Sequence, residues 1–300
     1  MTACAGGPRS ASYGELTRLP GAPPARAAAE PPTDAALAAG VRLADVIAAV
    51  RARAPELAEG RARVEADLAR ADAAGALPDP ELVGEIEHVP LRRPYAVDEA
   101  DGLMLSIRQM FPAAGSRGAR AQAVRQAAVV TAWELAARER DLVQRAAQAY
   151  YEYAGATAEL ALHGEHIGLG QAVVEALRAA HRAGRASQQD VLAADVEAQR
   201  LHGELIAVRQ RLASARALLN GLMDRPIDAP LGPPEALPPP AELDAAALGR
   251  RQAEARPELQ AAAAGIRRAE ADQRAASREA SRPSLMLEGG YVAMPMEDQV

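Results

Sequence analysis

The sequence predicts a mainly α-helical chain, in which a long antiparallel helical hairpin of coiled-coil type is joined to short alternating segments that read as β-hairpins. Three observations carry this prediction. Alanine, leucine, glutamate and arginine, all strong helix formers, dominate the composition. Aromatics are only 3% of 300 residues, with one Phe and one Trp, which suits helices packed closely through small side chains better than a thick compact core. Two long stretches keep a seven-residue apolar period, and two shorter ones alternate with period two.

Residues 1–34 are rich in Gly, Pro, Ala and Ser and read as a flexible tether. Ala35 to about Ala74 (35–76 with its end) reads as a helix that restarts at Pro55, because proline has no amide donor and fits a first helical turn. Gly75, Pro78 and Pro80 stop it. Residues 81–111 then hold two alternating runs. Leu82, Gly84 and Ile86 share one face of Leu82–Val89, with Glu85 and Glu87 on the other. In GLMLSIRQMF, Leu103, Leu105, Ile107 and Phe111 oppose Met104, Ser106, Arg108 and Met110. Runs of this length fit either a bilayer-spanning hairpin, whose tilted strands need ~9–11 residues, or a soluble hairpin packed on the helices.

Residues 113–222 read as the helical hairpin. A helix from Arg117 to about His181 would be ~95 Å long at ~1.5 Å per residue. Its period places Leu142, Ala149, Ala156 and Leu177 at one heptad position, and Ala146, Tyr153, Leu160, Ile167 and Val174 at the other. Gly164, Gly168 and Gly170 weaken it locally. The returning helix, Ser187 to Leu222, sets Val191, Ala198, Leu205, Leu212 and Leu219 against Ala194, Leu201, Val208, Ala215 and Leu222. In the turn between them, Gly184 can adopt the left-handed conformation that ends a helix. Ser187 can cap the next one, and Asp190 adds favourable charge to its first turn. Residues 223–243 are proline-rich and neither helix nor strand. A helix is expected over 244–282, and 283–300 (SLMLEGGYVAM) opens another alternating run.

An internal repeat links the two ends. A helix, then Pro-Glu-Leu (Pro55 to Leu57, Pro257 to Leu259), an Ala/Arg/Glu helix, a proline and an alternating strand recur at an offset of about 200 residues. On this reading the chain holds one full unit of helix, strands, helical hairpin and proline-rich patch, and the opening of a second.

The segments APELAEGRARVEADLARADAAGALPDPEL, RQMFPAAGSRGAR, HRAGRASQQDVLAADVEAQ, LLNGLMDRPIDAPLGPPEALPPP and ARPELQAAAAGIRRAEADQRAASREASRPSLMLEGGY resemble, in order and spacing, the TolC-type outer membrane efflux proteins. The family usually carries an FPxPGKR-like segment, which here reads FPAAGSRGAR, without the second proline or the lysine. The resemblance implies a homotrimer in the bacterial outer membrane. Each protomer would give strands to one shared transmembrane β-barrel, and its helices would form a periplasmic coiled-coil barrel with the proline-rich patches around its middle. It implies a passive export conduit working with a periplasmic adaptor protein and an inner-membrane pump. The hairpin tip (Gly184, Arg185, Ser187, Asp190) becomes the adaptor-docking candidate, and Glu85, Glu87, Arg108 and Glu288 become candidates for the barrel lumen. The QMFP region resembles the branch associated with heavy-metal or cation efflux. By resemblance to bacterial lipoprotein signals, the small residues before Cys4 in MTACAGG make that cysteine a lipid-anchor candidate, which requires a signal upstream of Met1. A periplasmic adaptor and a soluble coiled-coil scaffold are the alternative readings. The repeated helix–strand unit argues against the first, and the two alternating runs at hairpin spacing argue against the second.

Other chemistry is sparse. A formal net charge of −6, with arginines spread among acids, argues against a nucleic-acid footprint. No run of ~18 apolar residues suggests a spanning helix, and no full signal peptide is visible. One cysteine excludes an intrachain disulfide. His163 and His166, around Glu165, have helical metal-ligand spacing but no evident third ligand, and read as exposed helix histidines. Tyr150, Tyr151 and Tyr153 read as packing residues between helices. No nucleotide loop or nucleophile motif occurs. No enzyme, cofactor or metal is therefore expected.

Overall fold

The computed structural model describes residues 19–24, 30–87, 102–236 and 244–293. The chain forms two compact units. Its helices are α1 (Asp34–Ala39), α2 (Leu43–Arg53), α3 (Pro55–Gly75), α4 (Ser116–Arg182), α5 (Gln188–Leu222), α6 (Ala245–Ala255) and α7 (Pro257–Ser281). Its strands are β1 (Glu81–Glu87), β2 (Gly102–Phe111) and β3 (Leu285–Ala293).

One unit comprises residues 1–24, 62–134 and 257–300. Here α3, the first part of α4, and α7 bury mostly small residues: Val64 and Ala71, Ala128 and Ala132, Ala264 and Ala271. Small side chains leave room for polar ties between helices. Thr131 Oγ1 donates to Asp67 Oδ2 at 2.8 Å, and Arg120 pairs with Glu279. The three strands form an antiparallel sheet in the order β1-β2-β3, so the two alternating runs are a hairpin as expected and the third strand adds to its far edge. Residues 88–101, including the end of the strand predicted to reach Val89, lie outside the described residues.

Residues 19–24 are not free chain, although the composition reads as tether. Trp133 Nε1 donates to the Gly21 carbonyl at 2.7 Å, Arg267 covers Gly21, and Pro23 is buried. The indole N–H is the one polar atom of a large side chain and needs an acceptor. The N-terminal backbone supplies it.

The other unit comprises residues 25–61 and 135–256. In it α4 and α5 run antiparallel, tied by Arg178 Nη2 to Asp195 Oδ1 at 3.0 Å and by Arg211 to Glu159. The predicted heptad seam is the covered stripe. Leu142, Ala146, Ala149, Tyr153, Ala156 and Val174 of α4, and Val208, Ala215 and Leu219 of α5, are buried, and the remaining seam positions are half-buried. Gly164, Gly168 and Gly170 do not interrupt α4. At Gly170 a side chain would meet Leu201 Cδ1 at 3.1 Å, so the glycine allows close helix packing there.

Two expected helices are divided. The first breaks at Pro55 as predicted, and also at Gly40–Arg42. Val41 leaves the helix to pair with the proline-rich patch. Its amide donates to Pro233 O at 3.0 Å, and its carbonyl accepts from Glu235 N at 2.9 Å. The helix expected over 244–282 is split into α6 and α7 by Pro257, which follows an extended Arg256. The same patch is held by Gly232 N to Leu37 O at 2.9 Å and by Tyr153 Oη to Gly232 O at 2.9 Å. A Cβ on Gly232 would lie 2.5 Å from Gly40 N, so only glycine permits this approach. Arg225, buried near the start of the patch, donates to Asn220 Oδ1 at 3.0 Å and lies 3.2 Å from Asp34 Oδ1.

Candidate functional site

The sheet has two unlike faces, set by its register. Leu82, Gly84 and Ile86 of β1 oppose Ile107, Leu105 and Leu103 of β2, which oppose Gly289, Tyr291 and Ala293 of β3. Phe111 pairs with Leu285, and Gln109 with Leu287, on the same face. This apolar surface is open: Leu82 is 70% exposed, Leu105 54%, Leu285 65% and Tyr291 74%. No helix among the described residues is long and apolar enough to cross a membrane. β2, with ten residues, meets the length required of a tilted spanning strand.

The opposite face carries the charges. Arg108 pairs in register with Glu81 on one side and Glu288 on the other. Arg108 Nε lies 2.9 Å from Glu288 Oε1, and the Ser106 hydroxyl donates to that same oxygen at 2.7 Å. Ser106 is buried, because Gly290 opposite has no side chain: a Cβ there would lie 2.7 Å from Ser106 Cβ. Glu85, opposite Met104, shares this face, and Glu87 holds the same register parity opposite Gly102. Glu85, Arg108 and Glu288, three of the residues suggested for a lumen, thus fall on one face. Two members of the cluster were not picked from sequence. Glu81 lies just outside the predicted strand, and Ser106 becomes important only through its contact with Glu288, 182 residues away.

The α4–α5 turn is built as the spacing predicts. Arg185 N donates to Ala180 O at 2.8 Å and Gly184 N to His181 O at 2.9 Å, the paired bonds of a Schellman helix end, with Gly184 at φ +69°. The Ser187 hydroxyl accepts from Asp190 N at 3.2 Å, and the Asp190 carboxylate accepts from Ser187 N at 2.9 Å. These reciprocal bonds make a capping box. Bonds from the Ser187 hydroxyl and then its amide hold the Asp190 carboxyl below the usual carboxylate range. His181 Nδ1 lies 2.9 Å from Ala186 O. Gly184, Arg185, Ser187 and Asp190 are all exposed, so the tip is a fixed, solvent-facing shape.

Cys4 lies outside the described residues. His166 is exposed and His163 half-buried, with ring centroids 6.2 Å apart. Among the described residues no group of three metal-ligating side chains forms. Tyr150 and Tyr153 are buried as expected, and burial pushes both phenols up. Tyr151 is not a packing residue between these helices: one step of ~100° around the helix leaves it 46% exposed.

No curated protein matches this sequence. Solved structures share the fold. The outer membrane protein VceC from Vibrio cholerae is 18% identical over 85% of this chain and 68% of its own, with a TM-score of 0.60. For a membrane protein from Pseudomonas aeruginosa the values are 17%, 85%, 66% and 0.64. For the CmeC outer membrane channel of Campylobacter jejuni they are 9%, 85%, 62% and 0.60. The chain thus spans about two thirds of the length of these structures. Independently of these structures, the family model for outer membrane efflux proteins matches residues 46–224, from α2 through the capped hairpin to the end of α5, and the chain belongs to that family.

Proposed function

We propose that this chain is a protomer of the outer-membrane channel of a tripartite export system. Three copies would join their strands into one barrel and their helices into a periplasmic tunnel. The observation that carries this reading is the open apolar face of the β1-β2-β3 sheet. A soluble protein would cover such a face, whereas hydrocarbon accepts it without cost. The charged face then lines the water-filled lumen. Strands in a membrane must close so that edge amides and carbonyls find partners, and within the described residues β1 and β3 each have one unpaired edge. Assembly with other copies satisfies this requirement.

A second apolar stripe on α4 (Leu162, Leu169, Val173), opposite the seam to α5, supports side-by-side packing of hairpins in a tunnel wall. The conduit is passive: it supplies a wall and an end that opens, and an inner-membrane pump supplies the energy. The exposed tip at Gly184, Arg185, Ser187 and Asp190 docks the periplasmic adaptor, and an acyl chain on Cys4 adds an anchor.

Carbonate extraction, crosslinking and an export assay test these assignments. The chain should stay in the outer-membrane fraction, crosslink as a trimer and restore export to a strain lacking its channel. Gly184→Val should retain the trimer and lose export. Release by carbonate would refute the membrane sheet, and normal export by assembled Gly184→Val would refute the docking role. Failure of labelled palmitate to enter at Cys4 would remove the anchor.

A further inference from the structure

The junction between the sheet and the helices is strongly basic. Arg117 and Arg120 lie in the first turns of α4, and Arg274, Arg278 and Arg282 follow at four-residue spacing along the end of α7. Within residues 116–122 and 274–282 the one carboxylate is Glu279, already paired with Arg120; Asp272, one turn earlier, faces Arg268, and Glu81, at the start of β1, lies opposite Arg108. The level of the cluster is fixed by the strands. Phe111 and Leu285 pair at the base of the open apolar face, and Arg282 lies three residues before Leu285.

Two of the guanidinium groups are held in place. Arg278 Nη1 donates to Gly115 O at 3.3 Å and Arg282 Nη1 to Ala114 O at 2.8 Å. A guanidinium has five N–H donors, so each keeps most of them for another acceptor. Arg274 has no acidic partner among the described residues and, with Arg278, lines a recess of about 130 Å³ between α4 and α7. Gly118, Ala119, Gln122 and Ala271 complete the recess, and its small side chains leave the floor open.

We propose that this recess binds the phosphate of an anionic phospholipid in the leaflet that meets the base of the sheet. The proposal rests on the membrane reading of that sheet. Charge complementarity selects the ligand: paired guanidiniums present a fork that matches phosphate oxygens. Continuity with the apolar face selects its source, since a headgroup seated here lays its acyl chains along Leu285 and Phe111. The site fixes the sheet's depth by a charge contact at its lower rim.

The full chain, purified in detergent, is mixed with vesicles of phosphatidylcholine alone or of phosphatidylcholine with phosphatidylglycerol, and bound protein is measured by flotation. Phosphatidylglycerol should raise binding. Each basic residue near an anionic surface contributes about fivefold, so Arg274→Gln/Arg278→Gln should lose roughly 25-fold of that gain and Arg274→Lys/Arg278→Lys much less. Arg209→Gln, at an exposed arginine of the other unit, should leave it unchanged. Single Arg274→Gln, which breaks no described hydrogen bond, keeps the test valid if the double variant unfolds. Equal binding of the wild type to both vesicles overturns the lipid site but not the membrane sheet. Failure to float with either vesicle overturns the sheet as well. Loss of the gain in millimolar inorganic phosphate at constant ionic strength would assign the recess to free phosphate and refute the lipid assignment.

Discussion

Placing an arginine on each face of β2 tests the assignment of the sheet most directly. Leu105 is the fourth of ten residues in the strand, flanked in register by Gly84 and Tyr291 on the open apolar face. At ~3.3 Å per residue and a tilt of ~45°, ten residues rise ~23 Å, close to the ~25 Å apolar band of a membrane barrel. On the proposed membrane assignment Leu105 therefore sits near the hydrocarbon midplane. Leu105→Arg should cost ~2–4 kcal/mol per protomer, or roughly 6–12 kcal/mol for three copies. Met104→Arg, one residue away on the charged face and opposite Glu85, should cost almost nothing. The measurement is the urea dependence of dissociation of the proposed trimer in purified outer membranes, with total assembled protein as a second readout. Leu105→Arg should shift dissociation to lower urea or prevent assembly, and Met104→Arg should behave as wild type. Equal sensitivity of the two variants, or greater sensitivity at Met104, would refute the orientation of the sheet.

Three further outcomes follow from the packing. Gly232→Ala places a methyl 2.5 Å from backbone at Gly40, which cannot rotate away, so it should cost ~3 kcal/mol or more and lower the melting temperature. Tyr153→Phe removes the hydroxyl that bonds Gly232 O and Leu231 O; it should cost ~1 kcal/mol in chemical denaturation, with little change in assembly. Ser187→Ala removes the α5 cap, costs ~1 kcal/mol, and should speed amide exchange at the start of α5. Asp190 adds a pH dependence. Its carboxyl is held lower in the folded tip than in the unfolded chain, so its stabilisation is complete above the ordinary Asp pKa of ~4 and is lost as the pH falls through the folded value. The protection of the tip amides relative to their intrinsic exchange rate should therefore fall in acid, and Asp190→Asn should remove most of that fall.

What could be read from the sequence depended on whether a feature is local. The Gly184 helix end, the Ser187–Asp190 cap and the heptad seam each involve residues a few positions apart, and each forms as expected. The faces of β1 and β2 were legible for the same reason, since alternation sorts side chains before any pairing is known. The departures from expectation come from distant partners. Val41 leaves its helix because Pro233 and Glu235 bond both of its polar backbone atoms. Gly40, which caps α1, is its one local mark, and the region otherwise reads as good helix. Leu19–Pro24 looks like tether until Trp133 and Arg267 close on Gly21. The Ser106–Arg108–Glu288 cluster needs the β2–β3 register, which joins strands separated by α4, α5, α6 and α7. The repeat explains why that pairing is sound. α3 with β1 and α7 with β3 follow the same helix–strand order that the sequence repeat predicts, and their strands take the two edges of β2. Among the described residues β1 and β3 thus stand at the two ends of the sheet, each with one unpaired edge. In hydrocarbon those edges require partners, so on the proposed membrane assignment the arrangement that builds the sheet also drives it to join further strands.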